Sequence, residues 1–77
     1  MITAYILLMV EAGQEEIAIN KLLENDEVKE ANIVYGQYDI VMKIRVKNIK
    51  ALEEFILKNV RPIKEIQESS TLISTHE

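Results

Sequence analysis

Two kinds of hydrophobic periodicity divide the first third of the chain into a strand and a helix. Thr3–Val10 is rich in β-branched and aromatic residues and is apolar on both alternating sets of positions, which predicts a strand in the middle of a sheet. Gln14–Glu24 follows with a helical period, and its apolar stripe consists of Ala18, Ile19, Leu22 and Leu23. The chain therefore begins with a β-α unit.

The middle of the chain alternates between apolar and polar residues at the period of a strand. Val28–Tyr35 and Tyr38–Val46 both have this alternation, and only Gly36-Gln37 lies between them, which predicts a β-hairpin. One face of the second of these strands is apolar throughout and carries Tyr38, Ile40, Met42, Ile44 and Val46.

The last third of the chain predicts a second helix and a final strand. Asn48 is a suitable N-cap for a helix over Ile49–Val60, and Pro62 ends it. The apolar stripe of this helix consists of Ile49, Leu52, Ile56 and Val60. Ile63–Thr75 then predicts a long strand with a polar centre.

The resulting order, β-α-β-β-α-β, predicts an α+β fold of the ferredoxin-like type. Right-handed connections place both helices on one face of a four-stranded antiparallel sheet. The first strand carries Thr3, Tyr5, Leu7 and Met9 on one side and Ala4, Ile6, Leu8 and Val10 on the other, and two helices can cover only one of these apolar sides. Soluble monomers rarely expose a contiguous apolar patch, so we expect two copies to pack sheet against sheet, as in dimeric α/β barrels.

Composition and charge exclude several classes of protein. The chain has no cysteine, which excludes disulfide scaffolds and thiolate zinc sites. Its net charge is −4, and Lys43, Arg45 and Lys47 form the only local basic cluster, which we interpret as a solvated sheet face; direct binding of nucleic acid is not expected. The longest apolar run, Ala4–Val10, is far shorter than the ~20 residues of a membrane span, so we expect no membrane association and a cytoplasmic location.

The residues that usually carry catalysis are almost absent. The only histidine, His76, is the penultimate residue, and adjacent carboxylates such as Glu15–Glu16 are interpreted as solvated helix faces. No phosphate-binding glycine motif is present. We therefore expect no catalytic residue, no metal site, no cofactor and no enzymatic activity.

One segment, Tyr35-Gly36-Gln37-Tyr38-Asp39, combines groups that could bind a small ligand. As a purely local structure it is a turn in which Gly36 has a positive φ and Asp39 bonds the nearby backbone. As a binding site, Gly36 exposes backbone N–H groups to a carboxylate and Asp39 accepts from an ammonium group. Further hydroxyls that suit an α-amino acid are those of Ser69, Ser70 and Thr71.

The element order, the G-x-Y-D turn after the second strand and the final strand ESSTLIST resemble the effector domain of Lrp/AsnC transcription regulators, called RAM. The resemblance covers essentially the whole chain. It implies dimers built by facing sheets, further assembly into octamers or decamers, and amino-acid effectors bound between dimers. It places Gly36 and Asp39 in the effector site, with Tyr35, Gln37 and Tyr38 as neighbours in the turn.

Full-length members of that family begin with a helix-turn-helix domain, whereas this sequence starts at the first strand. We therefore expect residues 1–77 to form a single RAM domain without a DNA-reading element, which acts in transcription regulation by associating with full-length regulators. Two alternatives stay open: a small dimeric α/β-barrel enzyme (a cofactor-free monooxygenase or isomerase) and a purely structural oligomerisation module. The richness in Ile, Lys and Glu is typical of a thermophilic source.

Overall fold

The structure, a computed structural model, describes residues 1–75, and its elements follow the predicted order. The four strands are β1 (Ile2–Val10), β2 (Val28–Ile33), β3 (Ile40–Val46) and β4 (Ile66–Ile73). The helices are α1 (Glu15–Leu22) and α2 (Ile49–Phe55), and α2 continues into a π-helical turn over Ile56–Val60. None of these helices has the length and hydrophobicity that a membrane span requires.

The strands form one antiparallel sheet in the order β2-β3-β1-β4, which confirms the ferredoxin-like fold. Ala4 of β1 lies opposite Ile44 of β3 and Ile73 of β4, so these three side chains share a face. The alternation predicted for β1 and β3 is confirmed, and the structure shows which side of β1 is covered: the fully buried strand residues are Ala4, Ile6, Leu8, Ile40, Met42 and Ile44.

Both helices cover this same face, as predicted. A single core cluster contains the buried strand residues together with Ala18 and Leu22 of α1 and Leu52 and Phe55 of α2. The outer ends of the predicted stripes are wrong, because Leu23 and Ile49 are about half exposed. Leu23 lies just after the last residue of α1. Ile49 is the first residue of α2, and its side chain tilts towards the helix N-terminus and so extends beyond the core.

The second helix does not keep a regular α-helical period to its end. Arg61 N–H donates to the carbonyl oxygen of Ile56 at 3.0 Å, a five-residue bond that marks a π-turn. This wider turn brings Val60 into the core five residues after Phe55, whereas Ile56 of the predicted stripe is only half-buried. The predicted extent of the helical segment is therefore right, and its predicted inner face is partly wrong.

At two turns the strand boundaries differ from the prediction, because local hydrogen bonds of the turn replace the ladder. β2 ends at Ile33 and β3 begins at Ile40, so the hairpin connection is longer than the predicted Gly36-Gln37. β4 begins at Ile66 and not at Ile63, because Ile66 N–H donates to the Ile63 carbonyl oxygen at 3.2 Å in a turn. Ile63 reaches the core from this turn.

Candidate functional site

The connection between β2 and β3 projects from the end of the sheet as a short loop. Val34 N–H donates to the Asp39 carbonyl oxygen at 2.8 Å and closes a loop of residues 35–38, called here the 35–38 loop. Tyr35 is fully exposed at its tip. Gly36 has a φ of 133°, as the turn interpretation predicts, and a Cβ placed there would meet nothing within 4 Å. The glycine thus serves the backbone conformation and leaves open space beside it.

Asp39 joins this loop to the end of β1 through both its backbone and its side chain. Its N–H donates to the Leu8 carbonyl oxygen at 2.8 Å, and its Oδ2 atom accepts from Val10 N–H at 2.8 Å. The pairing of β1 with β3 stops at Leu8 opposite Ile40, so the Val10 N–H lies beyond the ladder and takes a carboxylate as its acceptor. The bond spans 29 residues, and the predicted bond of Asp39 to its own turn is therefore replaced by a distant one.

A second carboxylate faces the same region from α1. A depression of about 420 Å³ is lined by Glu15, Ile33, Val34, Tyr35 and Asp39. The sequence interpretation of Glu15 as part of a solvated helix face missed this position. The predicted topology could have placed Glu15 near the loop, because a right-handed β-α-β connection starts its helix at the end of the sheet where the second strand finishes.

The hydroxyl group of predicted site residues lies elsewhere in the same chain. Ser69, Ser70 and Thr71 pair with Leu8, Leu7 and Ile6 of β1 respectively. Since β1 separates β4 from β3, these residues lie about two strand spacings, roughly 10 Å, from the start of β3. Their side chains also alternate, with Ser70 on the face opposite to that of Ser69 and Thr71. One chain therefore does not bring them to the 35–38 loop.

The sheet face away from the helices carries exposed apolar side chains. Tyr5 and Leu72 lie opposite each other on β1 and β4, and both are exposed. The open sheet face is defined here by these two and three half-buried neighbours, as Tyr5, Leu7, Met9, Val41 and Leu72. Thr3, which shares this face, is buried. The basic residues Lys43 and Arg45 border the apolar patch on β3.

One ion pair ties α1 to the segment before β4. Lys21 Nζ lies 3.0 Å from Oε1 of Glu65, whose side chain is largely buried. The hydrogen bond from Lys21 lowers the pKa of Glu65 below its ordinary value of 4.5, against the opposite effect of desolvation. Among residues 1–75, no cluster of acidic side chains and histidines could hold a metal ion, and His76 lies outside the described residues.

An antiparallel sheet with two helices on one face and a projecting loop at its end defines a small α+β domain of the ferredoxin-like type. The chain matches the family of Lrp/AsnC ligand binding domains over residues 3–77, and it therefore belongs to that family. This confirms the predicted resemblance. The family comprises ligand-binding domains of transcription regulators and not enzymes, which confirms the expectation that the chain is not an enzyme.

Individual relatives agree with this assignment. The HTH-type transcriptional regulator FL11 of Pyrococcus furiosus is 38% identical over 72 residues, which cover 94% of this chain and 47% of the regulator. A solved hypothetical protein from Pyrococcus horikoshii is 44% identical with a TM-score of 0.93, covering 100% of this chain and 93% of that one. The structure of AsnC from Escherichia coli is 31% identical with a TM-score of 0.93, covering 99% of this chain and 52% of AsnC.

The chain spans about half the length of the curated relatives it matches. The part that this chain shares with those regulators is the Lrp/AsnC ligand binding domain. The Pyrococcus relatives fit the thermophilic source indicated by the composition, which stays a prediction.

Proposed function

We propose that this chain binds an amino acid at the 35–38 loop and assembles into an oligomer whose state depends on that ligand. The observation that carries the proposal is that the 35–38 loop, which contributes Tyr35 to the depression, lies beside the two acidic residues that line it. Within residues 1–75, the N–H groups of the 35–38 loop donate no hydrogen bond, and Glu15 and Asp39 line the adjacent depression. An α-amino acid carries a carboxylate for the N–H groups and an ammonium group for one of the two acidic residues.

The size and openness of the depression fit a small ligand that is covered by a second subunit. Its volume of about 420 Å³ lies in the ~300–1,000 Å³ range of small-molecule sites. Tyr35 projects fully exposed beside it, which suits a side chain that packs against a neighbouring copy. We assign the ligand to the boundary between two subunits for this reason.

The hydroxyl residues enter the proposal only as a contribution from a neighbouring chain. Because β1 separates Ser69, Ser70 and Thr71 from the 35–38 loop, a hydroxyl can reach the ligand only from another subunit. The alternation along β4 then offers either Ser70 alone or Ser69 with Thr71, according to which face of the neighbour is presented.

Oligomer formation is proposed to begin at the open sheet face. Packing this face against its own copy in a two-fold dimer would bury Tyr5 and Leu72 on both chains at once. A chain of 77 residues has a small core of its own, so the added burial would also stabilise the fold. Assembly of dimers into octamers or decamers is proposed from the family resemblance.

Regulation would follow from linkage between ligand binding and assembly. A ligand that binds a site formed by two subunits favours the assembly that contains the site, by as much as its affinity differs between the two states. Residues 1–77 would then act as one effector domain that joins assemblies with full-length Lrp/AsnC regulators and changes their oligomeric state.

Native mass spectrometry of the purified protein, alone and with each of the twenty amino acids, tests the proposal. L-methionine is included with particular reason, because a Neisseria meningitidis regulator that shares the fold at 15% identity was crystallised as its L-Met complex. We expect even numbers of subunits and a ligand mass per subunit or per dimer. An even-numbered assembly that retains no amino acid would contradict the effector role and favour a structural module, and a stable monomer would contradict the pairing of sheets.

A pair of glycine variants provides the matched control. Gly36 and Gly13 both have a positive φ and open space at the Cβ position, so Gly36→Ala and Gly13→Ala introduce comparable backbone strain. Only Gly36→Ala changes the 35–38 loop, and we expect only this variant to lose the ligand.

A further inference from the structure

We propose that Asp39 is a positioning residue: its carboxylate holds the 35–38 loop on β1 through the Val10 N–H, and Glu15 is the group that receives the ligand's ammonium. This inference rests on the proposed function and deepens it, since it divides the roles of the two carboxylates that line the depression.

Three atoms of Asp39 already form hydrogen bonds within the chain. Its N–H donates to Leu8, its carbonyl oxygen accepts from Val34 N–H, and its Oδ2 atom accepts from Val10 N–H, each at 2.8 Å. These bonds join the ends of β1 and β2 to the start of β3. A carboxylate turned away towards a ligand would leave the Val10 N–H without its acceptor, a costly exchange for a partly buried group, so Oδ2 is fixed on β1 and only Oδ1 has no hydrogen bond among the described residues.

The 35–38 loop is held in place only through its two ends. Within residues 1–75, residues 35–38 donate no hydrogen bond through their backbone, and the bonds that fix their position run through Val34 and Asp39 on either side. The direction of the loop N–H groups is therefore set by how Asp39 sits on β1. A ligand held by those groups depends on Asp39 without touching it.

Glu15 lines the same depression from the first turn of α1. It is half-buried and makes no ion pair or side-chain hydrogen bond among the described residues. Glu16, its exposed neighbour, does not line the depression. Glu15 is thus the carboxylate at the depression that has both oxygens available to a cation and no backbone bond to hold it in place.

Nuclear magnetic resonance of the assembled protein tests the positioning role without any ligand. Asp39→Asn keeps an oxygen acceptor for Val10 N–H, whereas Asp39→Ala removes it. We expect hydrogen-exchange protection of the Val10 amide to fall at least about tenfold in the alanine variant and to be retained in the asparagine variant. Order parameters of residues 35–38 should fall to about 0.6 or below only in the alanine variant. Unchanged Val10 protection and loop order in Asp39→Ala would overturn the proposal.

Calorimetric titration with L-methionine, and with any other amino acid that binds the unmodified protein, tests the division of roles. We expect Asp39→Asn to bind within about threefold of the unmodified protein, and Glu15→Gln to bind at least about tenfold more weakly through loss of a charge-assisted bond. Glu16→Gln is the matched control and should bind normally. A tenfold loss in Asp39→Asn with Val10 protection intact would show that Asp39 contacts the ligand and would refute the inference.

The two experiments separate the failure of this inference from the failure of the proposed function. If no amino acid binds the unmodified protein, the effector role fails, and the exchange data alone decide whether Asp39 positions the loop. Asp26→Asn, a change at an exposed acid in the segment between α1 and β2, controls for the loss of one negative charge.

Discussion

Replacing Leu72 by serine should dissociate the proposed dimer, and replacing Leu57 in the same way should not. Both leucines are exposed in the single chain, Leu72 by 54% and Leu57 by 60%, so neither change removes much of the monomer core. Leu72 belongs to the open sheet face, whereas Leu57 lies in the π-turn after α2. Because the same substitution is made at both positions, a difference between the two variants shows which side of the molecule forms the dimer contact.

The size of the effect follows from the exposed fraction of Leu72 and from two-fold symmetry. Complete burial of a leucine side chain stabilises by about 1.5–3 kcal/mol, and roughly half of that remains to be gained at a residue that is 54% exposed. Each protomer of a symmetric dimer contributes the same residue, so the change removes about 1.5–3 kcal/mol from association. At about 1.4 kcal/mol for each factor of ten, the dimer dissociation constant should rise about 10- to 150-fold.

Sedimentation equilibrium over a dilution series measures this constant directly. Unfolding by urea, followed on the same samples, checks that both variants keep the fold of the unmodified chain. Equal dissociation constants for Leu72→Ser and the unmodified protein would refute the pairing of open sheet faces. Weakened association in Leu57→Ser alone would place the dimer contact on the helical side.

The π-turn and the Lys21–Glu65 ion pair give two further predictions. Val60→Ala should lower the free energy of unfolding by about 2 kcal/mol, because Val60 lies in the core. Ile49→Ala should lower it by less than about 1 kcal/mol, because Ile49 lies largely outside the core. A urea unfolding experiment in which Ile49→Ala is the more destabilised variant would contradict the π-turn. The pKa of Glu65 is lowered in the folded state, so its contribution to stability is present above pH 4.5 and is lost as the pH falls through the folded pKa. Lys21→Met should therefore lower the melting temperature at about pH 7 and have little effect below about pH 3; an effect that is equal at both would contradict the role of the ion pair.

The sheet could be predicted from sequence because the period of a strand is short and regular. In β3, alternate residues such as Met42 are apolar and mark the covered face, whereas β1 is apolar on both sets of positions, so its pattern alone does not show that the side with Ile6 is covered. The helices were less predictable at their ends. Leu23 continues the apolar stripe in sequence, but α1 has already ended, so periodicity no longer decides where the side chain points.

The contacts at the candidate site depend on long-range partners, which local patterns do not specify. The G-x-Y-D segment predicted a turn and a positive φ at Gly36 correctly, because both are local properties. The acceptor of the Val10 N–H is Asp39, 29 residues away, and it is selected by where the β1–β3 ladder stops. Glu65 was missed for the same reason, since its partner Lys21 is distant in sequence and adjacent only in the fold.

The arrangement of the site in one chain bears on why such a domain would respond to a ligand by changing its assembly. The 35–38 loop offers backbone donors and an adjacent carboxylate, while the hydroxyls of β4 lie beyond β1. A ligand that needs both sets of groups has no complete site in a monomer, and its affinity for separated chains is correspondingly low. By linkage, the ligand must then strengthen the association of chains by the same factor by which association strengthens ligand binding. The incompleteness of the single-chain site is thus the physical basis of the proposed regulation.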